Sequence, residues 1–246
     1  MGIKQQDGFT IIEVMLFLGV TGLLVIGILV GSGVAIGQQR YRDSVNSLKS
    51  FLQQQYNETT NVANSRDTAW NCNSSSVVTE ESSGGQPRGT SDCVLLGRYV
   101  TIDELGVQMT ASNVVGYRSA GAPTAASDVA ELQDNYQLGI SPIDQEQVAV
   151  SWGAQVVKPG TTLPMPLSVL IIRSPLSGSV MTFTAEGVKA NPKEVIDIPN
   201  MQQTRNLCVN ADAGTFVGSR LEVRISPYAG SQGAIQIPPE SDSVCD

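Results

Sequence analysis

Residues 1–37, MGIKQQDGFTIIEVMLFLGVTGLLVIGILVGSGVAIG, decide the fold: a short polar leader ends at Gly8, and a single acid, Glu13, opens an otherwise apolar stretch. From Val14 to Gly37 run 24 residues without a charge, and only Thr21 and Ser32 carry polar side chains. About 20 apolar residues in a helix cross a bilayer core, so this stretch reads as a membrane helix. Glu13 stands at its N-terminal edge. A carboxylate inside the apolar layer costs roughly 2.5–3.5 kcal/mol at the centre, and such a residue usually has a partner. Two plainer readings compete. A secretory signal cut after Gly37 is at odds with the length, since the apolar part of such a signal spans about 7–15 residues. A plain uncleaved anchor leaves the acid without a task.

Beyond Gly37 the chain turns polar but stays periodic. Tyr41, Val45, Leu48, Leu52, Tyr56, Thr59 and Val62 recur three or four apart, the stripe of an amphipathic helix. No proline falls between Phe9 and Asn64, so the spacing predicts one continuous helix over 9–65, about 85 Å long at 1.5 Å per residue. Its membrane half is 9–37 and its amphipathic half 38–65, and the stripe needs a sheet to cover it. Glycines 19, 22, 27, 31, 33 and 37 thin the membrane half. Small residues let helices approach closely, and each loosens the helix by up to about 1 kcal/mol relative to alanine.

The remaining residues, 66–246, are long enough for one β-rich head with a sizeable core. The chain of 246 residues is 41% hydrophobic and 15% charged, with 24 Gly and 12 Pro, a loop-rich composition leaning to strands. Strands are predicted over 94–102, 108–117, 147–157, 168–172, 180–184 and 219–225, the last with Leu221, Val223 and Ile225 alternating. A helical turn is predicted around 128–136. The four cysteines, Cys72, Cys93, Cys208 and Cys245, contain no C-x-x-C pair, which favours disulfides in an oxidising compartment. Three pairings are open. Pairing in chain order, the one adopted, closes loops of 21 and 37 positions.

The order Gly8, Phe9, Thr10, Ile11, Ile12, Glu13 resembles the prepilin cleavage and methylation signature of type IV pilins and type II secretion pseudopilins. The resemblance implies a leader, 1–8, removed after Gly8 by a membrane prepilin peptidase that also N-methylates Phe9. It implies an α+β, type IV pilin-like fold: a long N-terminal helix, transmembrane then amphipathic, packed on an antiparallel β-sheet head with a disulfide-bounded C-terminal region. Cleavage would leave a cationic amine at Phe9, for which Glu13 is a natural counter-ion within one chain or between neighbours. In the family this pair sets register in a helical homo-oligomer, with other pilins and a membrane assembly platform as further partners. The implied location is the cytoplasmic membrane, single pass with the N-terminus inside, and then the extracellular filament. The same motif admits a minor pilin or tip adhesin and a secretion pseudopilin, and a signal-anchored extracellular binding protein is the reading without it. Adhesion, twitching motility, DNA uptake and secretion are the roles the family covers. Two features depart from the pattern. Many major pilins have proline at the position of Val30, and Lys4 alone precedes the span while Arg40, Arg42 and Lys49 follow it, the reverse of the usual bias.

There is no histidine, which removes imidazole-based catalysis, and no nucleophile elbow, P-loop or dinucleotide fingerprint, so the sequence is read as non-enzymatic. A net charge of −8 argues against general attraction to nucleic acid. No resident cofactor is expected. Some pseudopilins bind calcium, for which Asp197, Asp212, Glu240, Asp242 and Asp246 are the candidates; their plain reading is solvated surface acids, without the alternating spacing of a calcium loop. Asn57 and Asn73 head N-x-[ST] tripeptides, a pattern common by chance. Trp70 and Trp152 are expected in the core.

Overall fold

The computed structural model describes residues 10–61, 70–80, 90–211 and 220–245. Helix α1 (Ile11–Thr60) is one unbroken element of 50 residues, about 75 Å long. Thr10 starts it from an extended backbone, its hydroxyl accepting the Glu13 N–H at 3.3 Å, and the T-x-x-E spacing is that of a capping box. Val62 and the predicted helix end near 65 lie outside the described residues. The helix has two unlike halves. Large apolar side chains from Ile11 to Ile36 are exposed, whereas Tyr41, Val45, Leu48, Leu52, Tyr56 and Thr59 are buried. The buried set adds Ser44, Phe51 and Gln55 on the same face.

The head is antiparallel throughout. β1 (Trp70–Cys72) and β2 (Val78–Glu80) form a small hairpin. The main sheet runs in the order β5 (Tyr136–Ile140), β4 (Gln108–Arg118), β3 (Cys93–Ile102), β8 (Leu167–Arg173), β9 (Val180–Glu186), with β6 (Glu146–Ala149) also on β4. A second sheet runs β12 (Ile235–Gln236), β11 (Glu222–Ile225), β10 (Arg205–Asn210), β7 (Gln155–Val157). The architecture is thus α+β, a long N-terminal helix packed on antiparallel sheets.

Strand β8, LSVLIIR, explains how the layers stack. Six of its seven residues are buried, because both faces of the sheet are covered. Leu167, Val169 and Ile171 join Leu48, Leu52 and Tyr56 in the core under α1, while Leu170 and Ile172 join Leu132, Phe183 and Val195 in a second core on the opposite face. The first core also takes Leu207 and Val209 of β10 and Val223 and Ile225 of β11. The amphipathic half of α1 therefore lies across both sheets. Where β3 crosses β8, a Cβ on Gly97 would run into the Ile171 carbonyl, and the β3–β4 register slips between Leu95 and Gly97. Glycine is required there by close backbone approach.

The predicted strand over 147–157 divides. β6 ends at Ala149, the chain turns at Ser151–Gly153, and β7 starts at Gln155 in the other sheet. Trp152 (φ 59°) and Gly153 (φ 68°) are both left-handed, which breaks an extended run. The predicted turn at 128–136 is a short α2 (Asp128–Ala130) followed by one π-helical turn, Glu131–Asn135. β5 and β10 were not read as strands, although Tyr136, Leu138 and Ile140 alternate along β5.

Candidate functional site

The feature that needs explaining is the bare half of α1. Between Ile11 and Ile36 it touches none of the head's cores, and the head's sheets are already satisfied by its other half. Val20, Leu23, Leu24, Gly27 and Ile28 shape a shallow apolar groove along it. At Gly19, Gly22, Gly27, Gly31 and Gly33 an added Cβ would meet nothing within 4 Å. The smallness of these residues serves no contact among the described residues.

At the start of that half, Glu13 lies in the first turn, where an acid opposes the positive end of the helix dipole. Among the described residues no cation pairs with it. Gly8 and Phe9 lie outside the described residues. The capping role of Thr10, beside the predicted assembly acid, was missed by sequence reasoning although T-x-x-E signals it.

The other half of α1 is clamped to the head by polar contacts set among apolar ones. The Tyr41 hydroxyl donates to the Val209 carbonyl at 2.8 Å and accepts the Leu221 N–H at 2.6 Å, tying α1 to the second sheet. The Tyr56 hydroxyl meets Thr182 Oγ1 of β9 at 2.8 Å; burial, only partly offset by that bond, pushes its pKa up to about 12. Arg98 of β3 is 5% exposed. It donates through Nε to Gln55 Oε1 at 2.8 Å and through Nη1 to Asn113 Oδ1 at 2.8 Å, and it pairs with Glu58 at 3.1 Å. The bare half runs on from this clamped half in one unbroken helix.

The structure links Cys72 to Cys93 and Cys208 to Cys245. The second bond ties the C-terminal tail to β10, where Cys208 and Cys245 are both fully buried with Val157. Two further ties hold that tail: buried Glu222 accepts the Val244 N–H at 2.9 Å, and Arg224 donates to the Asp242 carbonyl at 2.8 Å. Elsewhere, buried Glu131 accepts from the Ala125 N–H, from Arg118 and from Asn135. Those bonds, the backbone one first, hold its carboxyl below the usual carboxylate range.

Among the described residues no cluster of three or more His, Cys, Asp or Glu side chains could hold a metal ion. Asp197 precedes α3 (Ile198–Gln202), Glu240 and Asp242 share a tail turn, and Asp212 and Asp246 lie outside the described residues. Asn73 is engaged structurally, its Oδ1 accepting the N–H groups of Ser75 and Val77. Trp70 is buried beside the first disulfide. Trp152 corrects its expectation: it is 58% exposed, because the turn between two sheets carries it outward, and Arg40 lies 5.0 Å from its ring centre.

Comparison with protein-family models, with curated proteins and with solved structures finds no match to this chain. Its function is therefore argued from its own residues.

Proposed function

We propose that this chain is a structural subunit of a type IV pilus-like filament, with residues 9–37 passing from membrane to filament core and the head coating the outside. The observation that carries the reading is the division of α1: one half wholly committed to its own head, the other apolar, uncovered and lined with glycines that its own fold does not use. An apolar half-helix continuous with a half clamped to the head suits a bilayer and also a bundle of identical helices, so moving between the two exchanges one apolar environment for another. Glu13, with no cation partner among the described residues, supports the same reading, since a neighbour's Phe9 amine is a counter-ion of matching depth. The two disulfides suit an extracellular head.

Mass spectrometry of the mature N-terminus is the test. The expected result is an N-methylated Phe9; an N-terminus at Met1 or Gln38 would refute the reading and favour an anchored or secreted binding protein. Glu13→Ala should be cut after Gly8 as efficiently as the parent yet fail to enter filaments. A minor pilin is the second reading, favoured by the size of the head, and low copy number in purified filaments would select it.

A further inference from the structure

Where the apolar stretch of α1 ends, a cavity of about 270 Å³ opens between the helix and the turn that joins β6 to β7. Its walls include Ile36, Arg40 and Ser44 of the helix and Trp152 of the turn. Three observations point to its occupant. Arg40 is exposed, lies against the Trp152 ring at 5.0 Å and pairs with no carboxylate among the described residues. A guanidinium held on an aromatic face keeps its in-plane N–H fork available for phosphate oxygens. Ser44 is fully buried, and among the described residues its hydroxyl has no hydrogen-bond partner. Buried hydroxyls are nearly always satisfied, so this one has bonding capacity left for a group that enters the notch.

Position supplies the third observation. From Val14 to Arg40 the helix rises about 39 Å, and a bilayer with its headgroup layers is about 40–45 Å thick. With the apolar stretch spanning the membrane, the cavity sits in the outer headgroup layer, the level that tryptophan favours. Gly33, Ile36 and Gly37 line its membrane side, leaving an apolar path for an acyl chain. The chain's net charge of −8 gives no general attraction to an anionic surface, so recognition here is local.

We propose that this notch holds the phosphate of a membrane phospholipid headgroup, Arg40 pairing with the phosphate, Ser44 donating to a headgroup oxygen and Trp152 closing the outer wall. The proposal rests on the membrane reading of α1, and through it the unassembled subunit is seated at a fixed height and rotation in the bilayer.

The test uses the full chain in nonionic detergent, with phosphatidylglycerol titrated and the bound lipid counted by native mass spectrometry. The parent should retain one phosphatidylglycerol at concentrations about tenfold below those needed by Arg40→Gln, the worth of one charge-assisted hydrogen bond. Trp152→Ala should weaken retention similarly and Ser44→Ala less, and diacylglycerol, which lacks the phosphate, should not be retained. Arg40 is solvent-facing, so its variant should keep the parent's circular dichroism. Equal retention by the parent and Arg40→Gln would overturn the proposal. So would displacement by inorganic phosphate at lipid-like concentrations, which would make the notch a site for free anions, or a lipid-independent dimer lost in Arg40→Gln, which would seat a second copy there. Flotation of the same preparations with vesicles separates the two levels: a chain that does not float refutes the membrane reading, and one that floats with unchanged retention in the variants refutes only the notch.

Discussion

Replacing Arg98 by methionine measures how firmly α1 is joined to the head. The substitution keeps the aliphatic stem and removes the donors to Gln55 and Asn113 and the charge facing Glu58 and Glu146, at 3.1 and 3.9 Å. Breaking a fully buried ion pair costs about 3–5 kcal/mol. Here both acids have side chains 37% exposed, so each recovers hydration and the charge contributes the lower part of that range. Gln55, fully buried, cannot do so, and a buried amide oxygen left without its donor costs about 1–3 kcal/mol. The two effects overlap, and we expect a loss of about 3 kcal/mol. The assay is urea unfolding of the full chain in detergent micelles, followed by fluorescence and compared at constant m-value. Adding Gln55→Leu should restore about 1–2 kcal/mol by removing the orphaned amide, and 0.5 M salt should change the difference little because the node is buried. A loss below about 1 kcal/mol, or a double variant no more stable than the single one, would refute the view of Arg98 as the buried tie between helix and sheet.

Replacing Cys208 and Cys245 by alanine should cost about 4 kcal/mol, the loop-closure entropy of a 37-position link, and should expose the tail beyond β12 to protease; unchanged melting and digestion would show that Glu222 and Arg224 suffice to hold it. Because Glu131 is held below the ordinary carboxylate range in the folded head, its contribution is present at neutral pH and is lost as pH falls through its lowered folded value. The stability gap between the parent and Glu131→Gln, read from denaturation at stepped pH, should therefore be widest near neutrality and close in strong acid. The raised Tyr56 works in the other direction. Its contribution is intact below pH 10 and fades as pH climbs toward about 12, so Tyr56→Phe should flatten the alkaline loss seen in an ultraviolet pH titration.

The long helix was legible in the residues because two periodicities sit in one proline-free run: an apolar stretch too long for a soluble core element, then a three-four stripe that names the buried face. Tyr41, Val45, Leu48, Leu52, Tyr56 and Thr59 were all read from that stripe, and all are buried. Strand β8 was read from its apolar run, but its two covered faces follow only from packing. The run 147–157 shows the limit. Its alternation looks like one strand, while the left-handed pair Trp152 and Gly153 sends its halves into different sheets; among local signals only Gly153 hinted at this. Arg98 was invisible for a related reason, since its partners lie on another strand and on the helix, and no spacing along the chain records them.

By itself, then, the sequence determined the long apolar helical stretch, the acid at its edge, the stripe and the β-rich, cysteine-bearing head, because hydropathy and helical period are local properties. Tertiary structure alone decided which sheets α1 bridges, that Trp152 faces outward against Arg40, and that Ser44 is buried beside a cavity without a partner among the described residues. Each of those depends on residues more than a hundred positions apart being brought together by close packing, which no local pattern encodes.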